Sequence, residues 1–228
     1  MPFYLNISWI YFCITFGAVI FLHLLMGLQS RNFFTKHVVI RKFSILDFEF
    51  PPSAQELASF IKGIFNLPED LVNKTLKALK GQLWLDFLFM PALYGSIFIL
   101  SMKVSMKMTY FGHKLFAVLA WIQFIAWFCD IIENIYLLNK IRPEPIISNP
   151  IVHRSYEMLE VIKWGIPLLA VVCSIAAIFY FWLVGLYSYD SLNYIFIIIV
   201  EIIIYFILKK LTAKSEEKQL EEFQQPDV

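Results

Sequence analysis

The chain has 228 residues, 59% of them hydrophobic and 18% aromatic, and only 16% are charged, against about 25% in a soluble domain. A formal net charge of +1 gives no basic field to draw nucleic acid, and apolar runs of about eighteen residues or more exclude an ordinary soluble domain. Cys13, Cys129 and Cys173 all lie inside those runs, where a thiol acts as a small hydrophobe. Their positions give neither a disulfide framework nor a zinc spacing, and no motif calls for a cofactor.

The first expected span is residues 7–28. It is too long for the apolar region of a signal peptide, and residues 1–7 carry no Lys or Arg, so it reads as a retained helix. A sizeable non-spanning segment follows, residues 29–82. Phe43 to Phe50 sets Asp47 and Glu49 alternately against Phe48 and Phe50, a period of two that predicts an extended piece ended by Pro51 and Pro52. Ser53-Ala54-Gln55-Glu56 then reads as a capping box opening a helix to about Phe65. A second helix is expected from Pro68, with Glu69 and Asp70 in its first turn. It sets Leu71, Val72, Leu76 and Leu79 apart from Lys74, Lys77 and Lys80, which suits either the lipid interface or packing on the end of a bundle.

Four more spans are expected, at about 83–102, 115–138, 164–186 and 191–208. About 20 residues at 1.5 Å rise cross a hydrocarbon core of about 30 Å. Tyr187 to Leu192 supplies the turn and first residues of the last span, and residues 213–228 form a charged tail, frayed or disordered. The fold class is therefore an all-α integral membrane bundle of about five transmembrane helices, with a small cytoplasmic helical segment between helices 1 and 2. Lys and Arg crowd the 29–82 segment, the connection between helices 3 and 4 and the start of the tail. Lys103, Lys107 and Lys114 occupy the connection between helices 2 and 3. The positive-inside rule then places the N-terminus outside and the C-terminus in the cytoplasm.

Chemistry is expected where lipid ought to exclude polar groups. Asp130, Glu133 and Asn134 share one face of helix 3, and Gln123 extends that stripe toward the membrane interior. Two close carboxylates cannot both stay charged without a cation or donors. Asp86, about a turn inside helix 2, comes to the same level, with Tyr94 two turns deeper and Pro91 freeing a backbone carbonyl nearby. The chain entering helix 4 returns His153, Arg154, Glu157, Glu160 and Lys163 to that end. Glu201 stands alone in helix 5, where a charged acid costs at least ~2.5 kcal/mol. His23 or Gln123 could reach it by depth, and a packing or subunit-pairing role is favoured over a proton relay.

Three readings follow. An ion-pair network, neutralised by Arg154 or Lys163, would lock helices 2, 3 and 4 in a non-enzymatic accessory or scaffold subunit. A small transporter would use Asp86, Asp130 and Glu133 as a proton or cation site. An intramembrane enzyme would add His153 to the same acids, although no Glu-x-x-His or His-x-x-x-His spacing supplies tight metal ligands.

Ile45-Leu46-Asp47-Phe48-Glu49-Phe50, Leu85-Asp86-Phe87-Leu88-Phe89 with Tyr94, and Asp130-Ile131-Ile132-Glu133-Asn134 together resemble a group of poorly characterised bacterial polytopic membrane proteins. That group carries an Asp–aromatic–Leu–Phe helix start and an Asp-x-x-Glu-Asn helix end. The resemblance covers residues 45 to 138. It implies a bacterial cytoplasmic membrane and brings no activity, substrate or cofactor. Expected partners are the lipid bilayer and a membrane protein or a second copy of the chain.

Overall fold

The computed structural model describes residues 7–36, 38–187 and 191–224, with Ser191 and residues 212–224 described by backbone alone. In chain order the elements are α1 (Trp9–Ser30), β1 (Phe34–Lys36), β2 (Ile40–Lys42), α2 (Ile45–Glu49) and α3 (Ala54–Phe65). They continue as α4 (Glu69–Ser105), α5 (Tyr110–Trp121), α6 (Gln123–Lys140), α7 (Pro150–Leu183) and α8 (Ser191–Gln224).

Five segments are long and apolar enough to cross a membrane: Trp9–Ser30, Glu69–Ser105, Tyr110–Lys140, Pro150–Leu183 and Leu192–Leu211. The expected multi-pass bundle is the fold found. α5 and α6 form a single span interrupted at Ile122, where the buried Gln123 sends its Nε2 back to the Leu119 carbonyl at 2.9 Å.

Spans 2 and 4 are longer than hydropathy implied. Helical backbone runs on past the lipid wherever residues favour it, and Lys, Leu, Ala and Gln do so from Lys74 to Gln82. The helix expected from Pro68 is thus the base of α4, not a separate element lying on the membrane surface. α8 likewise continues as helix to Gln224; residues 225–228 of the expected tail lie outside the described residues. So do residues 188–190 of the expected turn before α8. Gly185, at φ 73, lets the chain leave α7 in a conformation that a side-chain-bearing residue resists.

Residues 31–68 cap one end of the bundle, called here the hairpin end. β1 and β2 pair antiparallel, Phe34 opposite Lys42 and Lys36 opposite Ile40. The extended piece expected at Phe43 to Phe50 is instead the one-turn helix α2. Ser44 Oγ accepts from the Asp47 amide at 3.3 Å while Asp47 Oδ2 accepts from the Ser44 amide at 2.8 Å. That reciprocal cap holds the turn, and five residues are too few to separate a period of two from one of 3.6. At Ser53 only half of the expected box forms, the hydroxyl accepting from the Glu56 amide at 3.1 Å.

The cap packs like the core of a soluble domain. Phe33, Phe48, Ile61 and Ile64 are fully buried against Leu79 and Leu83 of α4 and Leu137 of α6. Each such side chain contributes roughly 1.5–3 kcal/mol when withdrawn from water. Leu71, Val72 and Leu76 lie against the same cluster, so the apolar stripe of lower α4 serves bundle packing. Gly63 allows the close approach of α3 to β1, since a Cβ there would overlap Thr35 Oγ1.

Candidate functional site

Four helices bring polar groups together inside the hairpin end. α6 runs toward that end and carries Asp130, Glu133 and Asn134 on its inward face. α4 and α7 start from that end and present Asp86 with Tyr94, and Tyr156 with Glu160 and Lys163. The fourth contributor is α2, whose last residue is Glu49.

Lys163 is the hub. Its Nζ is in direct contact with Glu133 and lies 3.4 Å from Asp130, 3.5 Å from Glu49 and 3.6 Å from Glu160. The side chains are withdrawn from solvent, Lys163 being 6% exposed, Glu133 0% and Glu49 12%. A second tier of hydrogen bonds surrounds the hub. The Tyr94 hydroxyl donates to Asp130 Oδ2 at 3.0 Å, and Asn134 Nδ2 donates to Asp86 Oδ2 at 2.7 Å and to the Leu83 carbonyl at 3.3 Å. The Tyr156 hydroxyl donates to the Glu49 carbonyl at 2.6 Å, clamping α2 to α7.

The structure therefore gathers Asp86, Tyr94, Asp130, Glu133, Asn134, Glu160 and Lys163, all expected from sequence, at one level. Of the two cations expected to neutralise the acids, Lys163 does so and Arg154 is exposed on the surface. His153 is not with the carboxylates: ten residues before Lys163 on one helix, it sits about 15 Å away along the axis. Its ring stacks on Tyr156, and Nε2 faces the exposed Glu157 at 3.4 Å. The arrangement that would have added a histidine to the acids does not form.

Gln123 spends its amide on the α5–α6 junction, and Met90, Tyr94 and Ala126 pack in their own cluster on the bundle axis. The expected partners of Glu201 are also replaced. His23 lies against the rings of Tyr205 and Phe89, while Glu201 faces α1 at Gly17, where a Cβ would come within 2.9 Å of its Oε1. Glu201 is a helix-pairing contact between α1 and α8.

Glu49 and Tyr156 are the residues of this cluster that the sequence pattern does not reveal. Alternation makes Glu49 one tooth of a strand, whereas the Ser44 cap turns that stretch into a helix and aims the carboxylate inward. Burial pushes the Glu49 carboxyl up to about 7 from its ordinary 4.5, with Lys163 pulling it down and Glu160, Asp86 and Asp130 adding to the rise.

Carboxylate oxygens of Glu49, Glu133 and Glu160 lie within 4.8 Å of one another, a spacing able to hold a metal ion. The Lys163 ammonium stands against all three, so a tethered cation already fills that role. Four carboxyls around one ammonium cannot all be ionised in so dry a place. The one ammonium balances a single carboxylate charge, so the cluster carries more acids than its cation can offset. The arrangement is suited to binding helices together and to holding protons. No protein-family model matches the chain, and comparison with curated proteins and with solved structures finds no match.

Proposed function

We propose that the chain is a non-enzymatic accessory or scaffold subunit of a bacterial cytoplasmic membrane, whose acid–lysine centre locks the 29–82 segment onto helices α4, α6 and α7. One observation carries this reading: Lys163 of α7 closes on carboxylates from α2 and α6. A buried hub of that kind fixes register between elements, because any slip leaves a charge unpaired at a cost of about 3–5 kcal/mol. The hairpin end faces the cytoplasm in this reading, in accord with the Lys and Arg distribution. The partner is another membrane protein or a second copy of the chain.

A lock of this kind makes the hub necessary for stability. Asp130→Asn, which keeps the shape and removes one carboxyl facing Lys163, is expected to lower the melting temperature in detergent and to speed proteolysis within residues 31–68. Unchanged values for both would remove the basis of the lock.

The surplus of carboxyls over cations favours a second reading, a proton-coupled transporter working through Asp86, Asp130 and Glu133. Proteoliposomes carrying a pH-sensitive dye decide between the two. A scaffold gives no proton flux above protein-free vesicles, whereas a flux abolished by Glu133→Gln overturns the scaffold reading.

A further inference from the structure

A second feature lies at the opposite end of the bundle from the acid cluster. A cleft of about 660 Å³ opens between α1, α4, α7 and α8, within the ~300–1,000 Å³ range of clefts that hold small ligands. Its walls are apolar, formed by side chains such as Phe12, Phe16, Leu100, Ile175, Ile178 and Ile198. Ser96 also lines it, but its hydroxyl is spent on the Leu93 carbonyl at 2.7 Å.

Polar groups gather at one rim. Lys103 Nζ lies 5.2 Å over the ring of Trp9 and Lys107 Nζ lies 5.5 Å over the ring of Tyr187, and both rings line the cleft. Lys107 also donates to the Leu186 carbonyl at 3.2 Å. Lys103 is in the last turn of α4 and Lys107 lies in the turn just past its end, close enough for the like charges to repel. Among the described residues neither forms an ion pair with a carboxylate. The Tyr187 hydroxyl is buried beside them and has no hydrogen-bond partner among the described residues. Burial pushes that hydroxyl up to about 12, so it remains a donor at neutral pH.

We infer that this cleft binds one anionic phospholipid, with its acyl chains along the apolar walls and its phosphate at Lys103, Lys107 and Tyr187. Among the described residues the two ammoniums meet no carboxylate, Lys107 donates only to a neutral carbonyl and the phenol has no acceptor, and a phosphate with several oxygens satisfies all three. A phosphatidylcholine headgroup brings its own cation to the same place and relieves the lysine repulsion less. A free fatty acid offers a single carboxylate and a single chain.

Native mass spectrometry of the purified full chain in detergent tests this, with dioleoyl phosphatidylglycerol, dioleoyl phosphatidylcholine and oleate offered in turn. One phosphatidylglycerol is expected to be retained at concentrations where the other two are lost. Lys103→Gln with Lys107→Gln should weaken that retention about tenfold or more, each lost charge-assisted contact approaching a factor of ten. Ile175→Trp, at an exposed position lining the cleft, should abolish it, with circular dichroism checking that each variant is folded. A readout needing no variant is quenching of Trp9 and Trp182 by acyl-brominated lipids, expected to be stronger for phosphatidylglycerol than for phosphatidylcholine. Equal retention of the two phospholipids, retention unmoved by the lysine changes, equal quenching, or oleate bound as tightly as phosphatidylglycerol would each overturn the inference.

Discussion

Replacing Lys163 by Gln removes the one cation at the centre of the acid cluster while keeping a side chain of similar reach. Asp130, Glu49 and Glu160 lie 3.4, 3.5 and 3.6 Å from its Nζ, and Glu133 touches it. At an effective dielectric constant of about 20, each such pairing is worth roughly 4–5 kcal/mol of Coulomb attraction, and desolvation of the ions offsets several kcal/mol of it. The net cost of breaking a buried pair by removing one partner is about 3–5 kcal/mol. For a chain of this size each kcal/mol moves the melting temperature by roughly 2–4 °C, so a fall of about 6–20 °C is expected near pH 8.

A pH dependence follows from Glu49, whose raised carboxyl Lys163 pulls down. Without that ammonium the folded state holds the Glu49 proton more tightly. Stability then keeps falling above about pH 7, by up to about 1.4 kcal/mol per pH unit for that one proton, where the parent's contribution is already lost. The assay is thermal unfolding in detergent at about pH 5 and about pH 8, followed by near-ultraviolet circular dichroism. Lys163→Gln should lie close to the parent at the acid end and far below it at the alkaline end. An equal loss at both pH values would refute the electrostatic account and leave only a packing defect, and no loss at either would refute the hub altogether.

Two further outcomes test the surrounding contacts. Glu49 has a folded-state value of about 7 against an ordinary 4.5. A raised carboxyl value means the folded state binds the proton more tightly, so its contribution is lost as pH rises from 4.5 to about 7, by up to about 3 kcal/mol. Glu49→Gln should flatten the stability profile across that window, and parallel profiles for parent and variant would remove Glu49 from the cluster. Asn134→Leu strips Asp86 of its 2.7 Å donor and should cost about 1.5–3 kcal/mol in the same unfolding assay. Adding Asp86→Leu should recover part of that loss, because replacing both partners leaves no orphaned carboxylate; additive losses in the double variant would contradict the pairing.

How far the sequence reaches is set by the range of the interaction concerned. The spans were legible because hydropathy is local to each run, and Asp130, Glu133 and Asn134 were legible as a group because 3.6 residues per turn places them on one face. Asp86 could be matched to them because membrane depth is a coordinate that the sequence supplies once helix directions are known. Glu49 had no such coordinate. Its place depends on how the cap folds over the bundle, on Phe33 and Phe48 meeting Leu79 and Leu137, and no local pattern encodes that meeting. Arg154 and Lys163 were equivalent cations on paper, and the start of α7 at Pro150 separates them by leaving Arg154 in solvent. Lys103 and Lys107 were, by the positive-inside rule, charges on the less favoured side of the membrane. Their position at the rim of an apolar cleft, beside a phenol that has no hydrogen-bond partner among the described residues, gives those two lysines a reason to be there that a count of charges could not supply.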